Sequence, residues 1–187
     1  MGKLTVFNFV TLNGYFKGPN DDTSWHQHGN EEEGEFAAEG AQSDSIILFG
    51  RKTYEMMAGF WPTPEAIKTM PAVAEGMNKS EKIVFSRTLK SADWNNTRII
   101  STNIVDEVKK LKKTSKKDMT ILGSGSILSQ LAEAGLMDVF QFLIDPVALE
   151  EGVPIFKDIK HKLDLKLTST RAFKSGAVLL SYESVKK

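Results

Sequence analysis

The apolar positions of this chain fall into short dense runs, separated by glycine, proline and clusters of polar residues. The opening KLTVFNFVTLNGYFKGP is apolar on both sides of a strand, which predicts a central strand buried on both faces. It breaks at Asn13-Gly14 and closes at Gly18-Pro19. The polar NDDTSWHQHGNEEEGEF predicts a loop that passes into a helix within the glutamates and runs toward Ala41. SIILF is a second buried strand, and KTYEMMAGF a short helix stopped by Gly59 and Pro62.

PEAIKTMPAVAEGMNK, with prolines at Pro64 and Pro71, predicts irregular chain. KIVFS and TRIIST are two further strands around the turn-like SADWNN. In the helix that follows, Val105, Val108 and Leu111 recur about once per turn. That spacing leaves the lysines of KKLKKTSKK on an outer, solvated face. MTILG predicts a fifth strand, and GSGS opens a helix whose stripe is Ile127, Leu128, Leu131 and Ala134, stopped at Gly135. DVFQFLIDPVAL is a sixth strand, and the last segment alternates with period two around Lys174-Ser175-Gly176, a hairpin.

Strands alternating with helices and then an antiparallel hairpin predict an α/β domain. Its central sheet is mostly parallel, its C-terminal hairpin antiparallel, and helices cover both faces. No repeat or linker interrupts the pattern, so a single domain spans residues 1–187.

Composition removes several function classes. Lys+Arg 24 against Asp+Glu 24 leaves no basic excess for nucleic acid, and the lysine run lacks interleaved aromatics. Without cysteine there is no disulfide, thiolate metal site or cysteine nucleophile. MGKLTVFNFV lacks a signal-peptide layout and no apolar run approaches a membrane span, so a cytoplasmic location without a membrane partner is expected.

The candidate chemistry lies at strand ends. In ILFGRKTYEMM, an apolar run ends in Gly50, followed by Arg51, Lys52, Thr53 and a helix, an arrangement suited to phosphate. It is not a triphosphate P-loop: the position five residues before Gly50 is Ser45, and Ile46 to Phe49 read as strand. GSGSIL follows a strand and opens a helix, but Leu128 stands where a dinucleotide fingerprint has its third glycine. FSRTL adds Ser86, Arg87 and Thr88 at a third strand end. Helix N-termini, two arginines and hydroxyls together suit a ligand with both a pyrophosphate and a separate phosphate. A surface salt bridge is the other reading of Arg51.

In order along nearly the whole chain, FVTLNGYFKGP, ILFGRKTYEMM, IVFSRTL and ILGSGSILSQL resemble the dihydrofolate reductase-like family. The branch resembled is the reductase domain of the riboflavin-pathway bifunctional deaminase-reductase. The resemblance implies NADP(H) as cofactor. It implies that Gly50, Arg51, Lys52 and Thr53 face its pyrophosphate and 2′-phosphate, and that Ser86, Arg87 and Thr88 hold the 2′-phosphate and adenosine ribose. Leu122, Gly123, Ser124, Gly125, Ser126, Ile127 and Leu128 would wrap the pyrophosphate and nicotinamide side. The Val10 backbone would meet the carboxamide, Lys17 and Gly18 would close over the nicotinamide ribose, and a cis peptide would join Gly123 to Ser124. Arginine is the residue type expected for NADP over NAD, since a guanidinium fork matches a phosphate dianion.

For the substrate, the same resemblance implies a small flat heterocycle, of pterin or ribosylamino-pyrimidine type, beside Asn13, Phe16, Trp25 and Trp61. Riboflavin-type relatives carry aspartate where Asn13 stands. Glu33 and Glu35 are the candidate acids, with a solvated acidic helix start as the alternative. His26-x-His28 specifies no third metal ligand, and surface or pocket-rim histidines are expected without a metal. The expected protein is an NADPH-dependent reductase and a homodimer. The alternative is an NADP(H)-binding accessory or sensor without efficient catalysis.

Overall fold

The computed structural model describes residues 2–26 and 31–185. The elements run β1 (Leu4–Thr11), β2 (Tyr15–Lys17), α1 (Glu31–Ala41), β3 (Ile46–Gly50), α2 (Arg51–Phe60), α3 (Pro64–Thr69), α4 (Pro71–Lys79) and β4 (Lys82–Phe85). They continue with β5 (Thr97–Ile100), α5 (Ile104–Thr114), β6 (Met119–Leu122), α6 (Gly125–Glu133), β7 (Val139–Asp145), β8 (Val153–Pro154), β9 (Leu165–Ala172) and β10 (Val178–Ser184). Eight strands form one sheet in the order β5-β4-β3-β6-β1-β7-β10-β9, and β2 pairs with β8 beside it. The six strands from β5 to β7 are parallel, and β10 and β9 add an antiparallel edge, as the alternation predicts.

Alternation along β1 divides the core. Leu4, Val6 and Val10 join Val108 and Leu111 of α5 and Leu128 and Leu131 of α6 on one face. On the other face, Ile47 and Phe49 of β3 pack with Tyr54, Val73, Met77 and Trp94. Helices therefore cover both faces, because the central strands are apolar on both.

Residues 64–79, expected to be irregular, form two helices. Pro64 and Pro71 sit at their first turns, where the missing N–H costs nothing. Thr63 caps α3 by accepting from Ala66 N at 3.2 Å. Two lysines are buried, and one of them, Lys112, departs from the solvated face expected for its run. Lys112 of α5 is buried, donating to Leu136 O at 2.9 Å and to the Asp138 carboxylate. Lys82 is fully buried, its ammonium donating to the carbonyls of Met77 at 2.8 Å and Ser80 at 2.6 Å at the end of α4. That ammonium also lies 4.5 Å from the centre of the Trp94 ring. Burial lowers its pKa from 10.5 to about 8.

Candidate functional site

Register brings the three predicted turns together. Strand β3 lies between β4 and β6, with Gly50 opposite Phe85 and Leu48 opposite Ile121. Ser86-Arg87 and Gly123-Ser124 therefore flank Gly50 at the C-terminal edge of the sheet. Ser124 is the joint: its Oγ accepts from Gly50 N at 2.9 Å and donates to Thr53 Oγ1 at 3.0 Å.

Gly123 and Ser124 both take left-handed backbone, φ 59° and 54°. At its positive φ a Cβ on Gly123 would fall 2.9 Å from Thr53 Cγ2, so glycine suits this position, and one on Gly125 would fall 3.1 Å from the Phe16 ring, which would have to shift. From β1, Asn8 donates to Gly123 O at 3.2 Å and braces the turn. All described peptide bonds are trans, so the expected cis Gly123–Ser124 bond is not formed; the left-handed pair turns the chain instead.

Two cavities meet at these turns. A cleft of about 1790 Å³ runs over the face of the sheet beneath α1 and α2, and a smaller one of about 500 Å³ lies between the ends of β3, β4 and β5. Gly50, Arg51 and Ser126 line both. The large cleft also takes in Phe16, Lys17, Lys52, Thr53 and the run from Leu122 to Gly125, whereas Ser86, Arg87 and Ile127 line the small one.

Val10, Gly18, Thr88 and Leu128 are outside both linings. Val10 and Leu128 point into the core, and Thr88 N donates to Ser86 Oγ at 3.2 Å in a local turn. Arg51 is half exposed and meets Glu55 at 3.3 Å, so its surface ion pair and its place at both cavities coexist.

The N-termini of α2 and α6 open onto the large cleft, and neither has a side-chain cap. Uncapped N–H groups, glycines without Cβ and flanking cations fit the phosphates of a dinucleotide. That fit rests on residues of this chain: Gly50 to Thr53 and Gly123 to Ser126 for the pyrophosphate, Arg51, Ser86 and Arg87 for a further phosphate.

Beyond the turns, the cleft is walled by Phe7, Phe9, Phe36, Phe60, Trp25 and Trp61. Of the residues expected to meet substrate, Phe16, Trp25 and Trp61 line the cleft and Asn13 does not. Its amide donates to Leu149 O at 2.7 Å and accepts from Leu149 N at 3.2 Å, clamping the loop after β7. An aspartate could make only the second bond.

The α1 acids are also displaced from the expectation. Glu33 is buried, accepting from Ser175 Oγ in the β9–β10 turn, and Glu35 is exposed; neither lines the cleft. Helical spacing turns this face of α1 toward the hairpin, while Phe36 and Ala37 face the cleft.

The polar pair at this end was not identified in the sequence. His26 is 5% exposed, lines the cleft, and has Nδ1 2.9 and 3.0 Å from the two carboxylate oxygens of Asp145. Its ring stacks on Phe9 with centroids 3.7 Å apart. The expected rim histidine is thus a buried one, because Asp145, at the end of β7 and opposite Thr11, is there to receive it. His28 lies outside the described residues. Among the described residues no three His, Asp or Glu side chains gather as metal ligands, and no helix is long and apolar enough to cross a membrane.

Known proteins resemble this chain in sequence and in fold. An uncharacterized protein of Bacillus subtilis (strain 168), YyaP, is 36% identical over 173 residues, 92% of this chain and 90% of that one. A putative riboflavin biosynthesis protein from Shewanella sp. PV-4 superposes with a TM-score of 0.76 at 17% identity, covering 98% of this chain and 99% of that one. Dihydrofolate reductase from Enterococcus faecalis, complexed with NADP(H), gives 0.68 at 16% identity, covering 99% and 98%. The fold is thus dihydrofolate reductase-like. The profile of the RibD C-terminal domain matches residues 2–179, and the chain belongs to that family.

Proposed function

We propose that this protein is an NADPH-dependent reductase that transfers hydride to a small flat heterocycle of pterin or ribosylamino-pyrimidine type. The observation that carries the proposal is the joining of two uncapped helix N-termini through Ser124, at the meeting of two cavities that share Arg51. Bound NADPH supplies the hydride; the chain supplies position and charge.

Gly50 to Thr53 and Gly123 to Ser126 hold the pyrophosphate, with Lys17 beside the ribose at the cleft. Arg51, Ser86 and Arg87 hold the 2′-phosphate in the smaller cavity. Phe16, Trp25 and Trp61 stack on the acceptor ring and exclude water. The accompanying proton comes from water entering the cleft or from His26, whose ring lines it. Glu33 would first have to leave Ser175.

The alternative, a cofactor-binding sensor, draws its support from the missing aspartate at Asn13, and Asn13 holds a loop rather than facing the cleft. A homodimer in the cytoplasm completes the proposal by likeness to its family.

The test is a tryptophan-fluorescence titration with NADPH and NADH, for wild type and the Arg51→Ala/Arg87→Ala double variant. Tight NADPH binding, weaker NADH binding, and loss in the variant are expected. Equal binding of both nucleotides by both proteins, or no binding at all, would sink the reading.

A further inference from the structure

At the mouth of the cleft, a carboxylate of the chain sits between two of the proposed cofactor cations. Asp21 accepts from Lys17 Nζ through one oxygen and from Lys52 Nζ at 2.8 Å through the other. Lys17 ends β2 and Lys52 lies in the first turn of α2, so Asp21 bridges the loop after β2 to the turn expected to hold phosphate. All three residues line the cleft.

The backbone that delivers the carboxylate is strained. Asn20 and Asp21 are consecutive non-glycine residues at φ 56° and 62°, a conformation L-residues adopt singly and reluctantly. The short turn Pro19–Asp21 contains no buried residue and is closed by backbone bonds from Gly18 N to Asp22 O and from Asp22 N to Pro19 O. Lys17 and Lys52 donate to the two oxygens of the Asp21 side chain. A two-oxygen anion between two ammonium groups has the geometry of a phosphate between the same groups.

We propose that Asp21 is a built-in stand-in for a cofactor phosphate: it fills the Lys17–Lys52 anion site in the free protein and is displaced when a phosphorylated ligand enters. The inference rests on the reading of this cleft as a phosphate-binding one. It adds an autoinhibitory contact to that reading.

The carboxylate and an incoming phosphate are both anions and require the same donors, so they compete for the site. Displacement frees the loop from α2 and lets Asn20 and Asp21 relax. His26, on the same loop but anchored to Asp145, stays in place. The segment between Asp21 and His26 carries Trp25, which lines the substrate end of the cleft. Phosphate arrival at Asp21 is thus coupled through this segment to the substrate end of the cleft.

The test compares wild type, Asp21→Asn and Asp22→Asn by calorimetric titration with NADPH and, separately, inorganic pyrophosphate. Asp21→Asn keeps the shape but loses the charge, and both probes should bind about three- to tenfold tighter. Asp22→Asn removes the same charge one residue away and should leave both affinities near wild type. An equal gain in Asp22→Asn would reduce the effect to general charge and overturn the proposal. So would unchanged or weaker binding of both probes to Asp21→Asn. A gain for pyrophosphate without NADPH binding in any protein would keep the stand-in while discarding the reductase reading. NADPH binding that ignores Asp21 would do the reverse.

Discussion

The two ends of the cleft are built on different principles. At the turn end, backbone does the work: glycines at Gly50, Gly123 and Gly125, left-handed φ angles, and N–H groups of two helices, with exposed cations around them. At the other end a buried side-chain pair does it, His26 on Asp145, packed against Phe9. Exposed charges at the first end contribute little to stability and, in the proposed function, act on ligand affinity. A buried ionisable pair is the reverse, since losing one member strands the other in a low dielectric.

That contrast can be broken most forcefully at His26. His26→Ala leaves the Asp145 carboxylate buried and removes the ring stacked on Phe9. It should lower unfolding free energy by about 2 to 4 kcal/mol in urea denaturation, with NADPH affinity little changed. A loss of NADPH binding at unchanged stability would invert the comparison.

Next in size is Gly123→Ala. A Cβ at φ +59° and 2.9 Å from Thr53 Cγ2 should cost about 2 kcal/mol and also weaken NADPH, because it spreads the two turns apart. Wild-type stability in this variant would mean that the turn tolerates a side chain and needs no glycine.

The arginine pair should act on affinity alone. Arg51→Ala/Arg87→Ala should weaken NADPH about tenfold or more while the denaturation midpoint stays within error, as expected for an exposed pair such as Arg51–Glu55.

The smallest effect is a control away from both ends. Lys82 has its pKa lowered by burial to about 8 from 10.5, so between those values the unfolded chain binds more protons than the folded one. Stability should therefore rise with pH across that window. Lys82→Met should lack that rise; a parallel pH profile in the variant would assign it to other groups.

The contrast also explains what the sequence revealed. Glycine, arginine and serine at strand ends are local signals, readable because turn chemistry depends on neighbours in the chain. The parallel sheet and its antiparallel edge followed from patterning alone for the same reason. The His26–Asp145 pair spans 119 positions, and the pairing is set by the β1–β7 register, which no local pattern encodes. Lys82 carries no local sign of burial either; it is buried because α4 ends above it with carbonyls to offer.

The acids of α1 show a third kind of miss. Their helix was legible, but which face met the cleft depended on where the hairpin lay. Residues 64–79 differ from expectation for a simpler reason: a proline at a helix's first turn and a proline that breaks a helix look alike in sequence.

The bond from Gly50 N to Ser124 Oγ has a further thermodynamic meaning. It crosses 74 positions of sequence and, with the Thr53 hydroxyl, ties two loops into one rigid unit before any ligand is present. The conformational entropy of aligning those loops is thus lost during folding rather than on binding. A dinucleotide bound here as proposed would meet two turns already joined, and the loop that carries Asp21 would be the part left to rearrange.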